Sequence, residues 1–582
     1  MRGDLRGFKL WCAGWIALAA LPHVTAQPLR SLKTAPVPEP AGLAEYVAER
    51  AALVALGKAL FWDMQAGSDG RTACATCHFH AGADHRIQNQ IVDPNNPFPA
   101  NARLSLGGFP LRNLVDPGDR NSAVIWDAEM RVGSAGLLRG LFEGVVPGRP
   151  VDAGTQSLDR PEFSVGGLQV RRVTVRNAPS VINAVHSVRN FWDGRAEREF
   201  NAADPFGDRS GSARPVLRVV DGRLEPHTVR LDPASLASQA LGPVLDSLEM
   251  SYQGRTWPAL GRKMLSLAPL AYQRVSTSDS VLGPMARTEG RGLAEGVTYL
   301  SMVRNAFRRE FWEWLGPVAE AAGEYSQAEY NFPLFWGLAI LAYESTLVSD
   351  DAPFDRFMDG DAGALSGPEL AGMQIFQQNG RCTQCHGGAE FSAAGFSAAQ
   401  QGRRGNAGRA FQRTGVRTAV EDGGRGNGNF RSIQLRNVEL TGPFFHNGGQ
   451  ATLEQVIEFY SRGGDFAPNN LRPFNANATQ RSNLVAFLKS LTDDRVRFER
   501  APFDHPELCV PSGHIEEQPG VLQAGALAGF PRAAAERWLS VPAVGAGGNS
   551  VPLQDFKELL TGAGADGTRA HAMQIPCAAP LP

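Results

Sequence analysis

The 582-residue sequence predicts a mainly α protein of two helical domains, with long loop insertions over the first and an extension after the second. Three observations predict this. One pentapeptide pattern occurs twice, as Cys74-Ala75-Thr76-Cys77-His78 and Cys382-Thr383-Gln384-Cys385-His386. A stretch of helical periodicity leads into each copy. Gly and Pro are plentiful, 64 and 39 residues, which implies much loop between the regular elements. A chain of this length exceeds one ordinary core, so two or three domains is the prior.

Hydrophobic content of 43% and charged content of 20% describe a globular chain, neither disordered nor membrane-embedded. A net charge of −2 gives no reason to expect nucleic acid or an anionic membrane as partner. The amino terminus reads as a targeting segment. Arg2, Arg6 and Lys9 precede a mostly apolar run from Leu10 to Leu21, and Val24-Thr25-Ala26 resembles a cleavage site. The expectation is export with residues 1–26 removed; the alternative is an uncleaved anchor. No later stretch is long and apolar enough to span a bilayer.

Ala44 to Phe61 has helical periodicity and runs toward the first motif. Phe335 to Leu347 is a second apolar helix, and Asp350-Asp351-Ala352-Pro353 breaks the chain after it. Ser366-Gly367-Pro368-Glu369 opens a third helix, with an apolar stripe at Leu370, Met373 and Phe376, ending at Gly380 beside the second motif. These signals divide the chain into a signal peptide (1–26), an N-terminal domain (27–348), a C-terminal domain (349–500) and an extension (501–582). The stretches from Gln88 to Arg160 and from Pro205 to Arg223 read as long loops or insertions.

Seven cysteines are present, and Cys12 leaves with the signal. The four in the repeated motif have a chemical reason for their spacing. Two thiols separated by two residues each add to one porphyrin vinyl group, and the adjoining histidine becomes the proximal iron ligand. A thioredoxin-like pair expects a βαβ setting and no following histidine. Zinc knuckles usually lie tens of residues apart, whereas these motifs are about 300 apart. Two covalently bound haem c groups are therefore expected, on His78 and His386. Cys509 and Cys577 remain, either as a disulfide pinning the extension or as two buried thiols.

At this point the sequence resembles the di-haem cytochrome c peroxidase superfamily, and within it MauG-like peroxidases more than the ordinary bacterial enzyme. Leu56-Gly57-Lys58-Ala59-Leu60-Phe61 precedes the first motif. Arg176-Asn177-Ala178-Pro179-Ser180 leads to Phe191-Trp192-Asp193-Gly194-Arg195-Ala196. Leu435-Arg436-Asn437-Val438, Thr441-Gly442-Pro443-Phe444-Phe445-His446-Asn447-Gly448 and Thr452-Leu453-Glu454 follow the second motif. The resemblance implies two cytochrome c-like domains, the first haem reacting with peroxide and the second transferring electrons.

It further implies that Gln239, Pro243 and Glu249, at the family's spacing, line the peroxide side of the first haem. Glu249 would be the acid/base, with a carboxyl pKa raised by desolvation, and Gln239 would orient peroxide or water. The alternative is an ordinary helix surface. Trp192 matches the tryptophan lying between the haems, although a lone tryptophan is more often core. The ordinary enzyme has a methionine ligand eight residues after the threonine of Thr-Leu-Glu; here that position is Tyr460, as in MauG-like proteins. A phenolate is a hard anionic donor that stabilises oxidised iron, whereas a plain buried tyrosine would have a hydrogen-bonded hydroxyl.

No histidine stands at the distance from His78 expected of the blocking ligand of the ordinary enzyme; His80 and His85 are expected to be supporting or solvent residues. A calcium ion is implied between the domains, on Asn177 and the backbone carbonyls of Thr441 and Pro443. His446 is expected near the second haem without binding it. Two function classes follow. One is a periplasmic enzyme that reduces hydrogen peroxide, or uses it for MauG-like oxidation through a high-valent di-haem state, with a small electron-donor protein or a protein substrate as partner. The other is an electron-transfer cytochrome without peroxidase turnover.

Overall fold

The computed structural model describes residues 27–93, 103–157, 163–211, 213–400, 410–421, 423–517, 520–521, 523–524, 529–562 and 577. The expected signal segment lies outside the described residues. Among these, the protein is mostly helical, and every sheet is a two-stranded ladder. No described helix is long and apolar enough to cross a membrane.

Helix α1 spans Arg50–Trp62. The expected helix from Ala44 starts later because Glu49 is extended and its side chain caps the amide of Ala51, while Leu43–Glu45 forms a separate 3-10 turn. Short helix α2 (Ala75–His78) carries the first motif, followed by α3 (Ser235–Ala240), α4 (Trp257–Leu265), α5 (Tyr299–Ala306) and α6 (Gln327–Tyr330). Helix α7 (Phe332–Glu344) has all 13 residues buried, as a helix that is apolar all round must be. It is the axis of the first core, with α1 along one side and α3 along another.

Gly57 sets the approach of α1 to α7. A Cβ there would lie 1.9 Å from the carbonyl oxygen of Ala339, so the two backbones touch. The second half repeats the device. Helix α8 spans Pro353–Met358, and α9 (Gly367–Gln377) runs into the second motif. Short α10 spans Phe396–Gln400; α11 (Leu453–Ser461), α12 (Ala478–Lys489) and α13 (Asp494–Arg497) follow. A Cβ on Gly372 of α9 would lie 2.0 Å from the carbonyl oxygen of Asn483 on α12. Phe354, Phe376, Phe391, Leu453, Leu484 and Phe487 close a second core, separate from the first.

The Gly/Pro-rich stretches are not merely loop. Arg112–Leu114 pairs with Val124–Asp127, Gly140–Gly144 with Ala153–Gln156, and Val216–Val220 with Arg223–His227, all antiparallel. Their short strands fall between turn residues, so no run is long enough to show alternation in sequence. The extension also holds structure. Leu508–His514, buried throughout, pairs with Glu536–Val541, and α14 spans Phe556–Thr561. Cys509 is bonded to Cys577, with Cα atoms 5.9 Å apart. Lys58 of α1 ties the extension inward through fully buried ion pairs to Asp279 at 2.8 Å and Asp504 at 3.3 Å.

Candidate functional site

The first motif turns on α2. Ala73 donates its amide to the Thr76 hydroxyl at 2.9 Å, closing the turn that sets Cys74 and Cys77 on one side. Both thiols are free, and burial pushes the Cys77 thiol up to about 12. His78 Nδ1 donates to the Gly82 carbonyl at 2.8 Å, which leaves Nε2 as the lone-pair nitrogen, and burial lowers its pKa so the ring is neutral. Ser180 holds this turn by donating to the Ala81 carbonyl at 2.7 Å.

A cavity of about 470 Å³ opens beside this motif. Cys74, Cys77 and His78 line it together with Gln239, Pro243 and Glu249, so the six residues meet although the Glu249 group lies some 160 or more positions along the chain. Gln239 sits in the last turn of α3, and Pro243 opens the 3-10 turn Pro243–Leu245. The Glu249 loop is clamped from outside. Arg255 donates to the carbonyls of Val244 and Met250, and Arg172 to that of Ser247 at 2.9 Å. Glu249 is partly exposed, to the cavity it lines. Burial first, and the charge of Asp246 second, push its carboxyl up to about 7.

Glu344, at the end of α7, lines the same cavity, and burial pushes its carboxyl up to about 8. Sequence reasoning missed it. The available signal was an acidic residue closing a helix that is otherwise apolar on every face. A second cavity of about 400 Å³ shares Phe61, Val181 and His78 and is walled by Trp62, Tyr343 and, from the chain after the second core, Phe503, His505 and Leu553. There Trp62 donates to the Tyr343 hydroxyl at 2.9 Å and stacks on His505 at 4.6 Å.

At the second motif, Cys382 and Cys385 form no disulfide, and His386 Nδ1 donates to the Ile433 carbonyl at 3.0 Å, again leaving Nε2 unbonded. Tyr460 is carried by α11, whose start is fixed by Thr452 accepting the Gln455 amide at 3.3 Å. Its ring packs against Phe445 and Phe459. Burial, and then the charges of Cys385 and Cys382, push its phenol pKa up, which places Tyr460 beside the second motif. Among the described residues its hydroxyl has no hydrogen-bond partner.

Trp192 lies between the two motifs' supports. Its indole N–H donates to the Asn177 carbonyl at 2.8 Å, and its own carbonyl accepts the Arg431 amide at 2.7 Å, two residues before Ile433. Its ring meets His446 edge-on at 6.0 Å, and His446 stacks on Phe430 at 3.6 Å. His446 therefore supports Trp192, a role its sequence context did not reveal. Asn177 donates its amide to the His446 carbonyl at 2.9 Å, which brings it onto the loop holding Thr441 and Pro443. Among the described residues no group of three or more His, Cys, Asp or Glu is arranged for a metal ion, so a cation there would rest on neutral oxygens.

His80 and His85 are both buried and stack on each other at 3.8 Å. Of the two expected alternatives, supporting or solvent residues, burial removes the second: the extension covers them, with His80 Nε2 donating to the Gln554 carbonyl at 3.0 Å. Neither lines the first cavity.

Two half-buried Cys-x-x-Cys-His turns, each with a neutral histidine oriented by a carbonyl, define the class: a helical protein built for two covalently attached haems. The family model for di-haem cytochrome c peroxidase matches residues 51–134 and 149–363, and the chain belongs to that family. It is 37% identical over 166 residues to the cytochrome c551 peroxidase of Nitrosomonas europaea, covering 28% of this chain and 45% of that protein. It is 26% identical over 352 residues to that of Pseudomonas aeruginosa, covering 60% and 73%. The methylamine utilization protein MauG of Methylorubrum extorquens is 30% identical over 156 residues, covering 26% and 42%. The chain thus spans under half the length of the Nitrosomonas and Methylorubrum relatives. Among solved structures, a MauG-like protein associated with microbial copper homeostasis aligns with TM-score 0.40 and 18% identity over 85% of this chain and 98% of that one. The diheme peroxidase BthA from Burkholderia thailandensis aligns with TM-score 0.39 and 16% identity over 82% and 95%.

Proposed function

We propose that the protein is a periplasmic di-haem peroxidase, reducing hydrogen peroxide or using it for MauG-like oxidation of a protein. The observation that carries this is the cavity in which Gln239, Pro243 and Glu249 face the motif of Cys74, Cys77 and His78. The residues fit the cofactor: four thiols outside any disulfide at the attachment positions, and two histidines with one nitrogen committed and one available. Two haem c groups would be held by Cys74, Cys77 and His78, and by Cys382, Cys385 and His386. They would supply an open iron site for peroxide and a second iron to store oxidising equivalents.

The chain's own residues do the rest. Gln239 orients the incoming peroxide. Glu249, ionised, takes the proton from one peroxide oxygen and returns it to the other as the O–O bond breaks. A pKa of about 7 suits both halves of that transfer. Trp192, bonded at both ends between Asn177 and Arg431, is the conduit between the domains. Tyr460 would bind the second iron; its hydroxyl, without a hydrogen-bond partner among the described residues, supports this over a plain buried tyrosine. The two separate cores support two haem domains meeting near residue 350. Asn177, with the Thr441 and Pro443 carbonyls, would bind calcium, which suits a buried Asn177 amide that makes no side-chain hydrogen bond among the described residues. Electrons would come from a small donor protein, or from the protein being oxidised.

Mixing the ferric holoprotein with hydrogen peroxide and following haem absorbance tests this. The expected result is a rapid, saturable change that a one-electron donor reverses. An unchanged spectrum, or bleaching without turnover, would sink the proposal in favour of a simple electron carrier.

A further inference from the structure

Glu344 ends α7 at 1% exposure, in the wall of the first cavity, and the chemistry above leaves it unused. Its Oε2 is buried without a hydrogen-bond partner. Such an acid is normally paired, because an uncompensated buried charge is costly. Three other deep carboxylates of this protein obey that rule: Asp152 meets Arg255 and Lys263, Asp279 meets Lys58, and Asp355 meets Arg436.

No cation is free to pair with Glu344 among the described helices packed on α7. On α1, Arg50 is bound to Glu39 and Lys58 to Asp279 and Asp504. On α4, Arg262 is bound to Glu329 of α6, and Lys263 to Asp152. Helix α3 carries no charge, and His186 in the turn beside α7 is held neutral by burial. The other titratable groups facing the cavity are Cys74, Cys77, His78 and Glu249. Two acids therefore share one cavity, and Glu344 makes no ion pair among the described residues.

We propose that Glu344 is a second proton-carrying carboxyl of this cavity, delivering protons for peroxide reduction while Glu249 serves as the base. This rests on the peroxidase reading. Reduction of one peroxide to two waters takes up two electrons, from the one-electron donor protein, and two protons. Glu249 only moves a proton already on the peroxide and ends as it began. Glu344, as the acid, gives its proton to the oxygen left behind as the donor's electrons arrive and is reloaded from solvent, once for each of the two protons consumed. A carboxyl pushed up to about 8 is mostly in that acid form at neutral pH.

The test uses the ferric di-haem holoprotein, its E344Q and E344D variants, and hydrogen peroxide. Infrared spectra across the neutral and alkaline range should show a protonated-carboxyl band that titrates near 8 and is missing from E344Q. With a one-electron donor protein present, the steady-state rate of peroxide reduction should fall about tenfold or more in E344Q and lose its alkaline limb, with both restored in E344D. An infrared band unchanged in E344Q overturns the proposal, as does a wild-type rate and pH profile in that variant. A slow E344Q with an altered resting spectrum and no rescue by E344D also overturns it, leaving a structural carboxyl. Wild-type protein inert to peroxide would instead overturn the peroxidase reading, while the infrared result still judges the carboxyl.

Discussion

Replacing Glu249 with glutamine keeps the size and polarity of the side chain but removes its proton chemistry. Positioned general acid–base groups contribute about 10²–10⁴-fold, or roughly 3–5 kcal/mol of barrier, and E249Q should lose that much in the rate of reaction with peroxide. The wild-type pH dependence follows from the raised pKa. A carboxyl at about 7 is about half ionised at pH 7 and about 1% ionised at pH 5, so a step needing the carboxylate should speed up about 50-fold between them. In E249Q that rise should vanish, since nothing at this position titrates. Stopped-flow absorbance under excess peroxide, from acid to neutral pH, measures both. An E249Q rate within a few-fold of wild type, or a wild-type rate flat with pH, would refute the assignment of Glu249 as base.

Tyr460→Phe should leave peroxide access to the first site intact but change the second haem's paramagnetic resonance signal; an unchanged signal removes Tyr460 from the iron. Gly57→Ala places a methyl 1.9 Å from the Ala339 carbonyl, so α1 and α7 must separate, at about 1–3 kcal/mol and a lower Tm. Gly372→Ala should do the same to the second core. Stability should also depend on pH through Glu344. Its folded pKa, about 8, exceeds the unfolded value of 4.5, so its contribution is full below 4.5 and is lost as pH rises through 8, a few kcal/mol in all. Urea midpoints at mildly acidic and alkaline pH check this, and E344Q should flatten the difference.

The sequence alone determined whatever depends on neighbours in the chain. Each attachment motif is one contiguous turn, so its chemistry and the haem it implies were legible from five residues. The Gln239, Pro243 and Glu249 spacing spans one short helix and a turn, which is why the structure brings all three to one cavity. The helix before the second motif carried its own start signal, and Ser366 does donate its amide to the Glu369 carboxylate at 2.6 Å. The strands of 112–156 and 508–541 were not legible, because two-stranded ladders get their partners from pairing and not from a long alternating run. Only tertiary structure could place Glu344. Cys74 and Glu344 share a cavity because Gly57 lets α1 lie against α7, and His446 meets Trp192 because the loop from Asn177 crosses to the second half. Covalent chemistry is written in local spacing. The surroundings that shift a carboxyl's pKa or aim an indole are assembled by distant segments packing together, and burial, which sets those properties, exists only once they do.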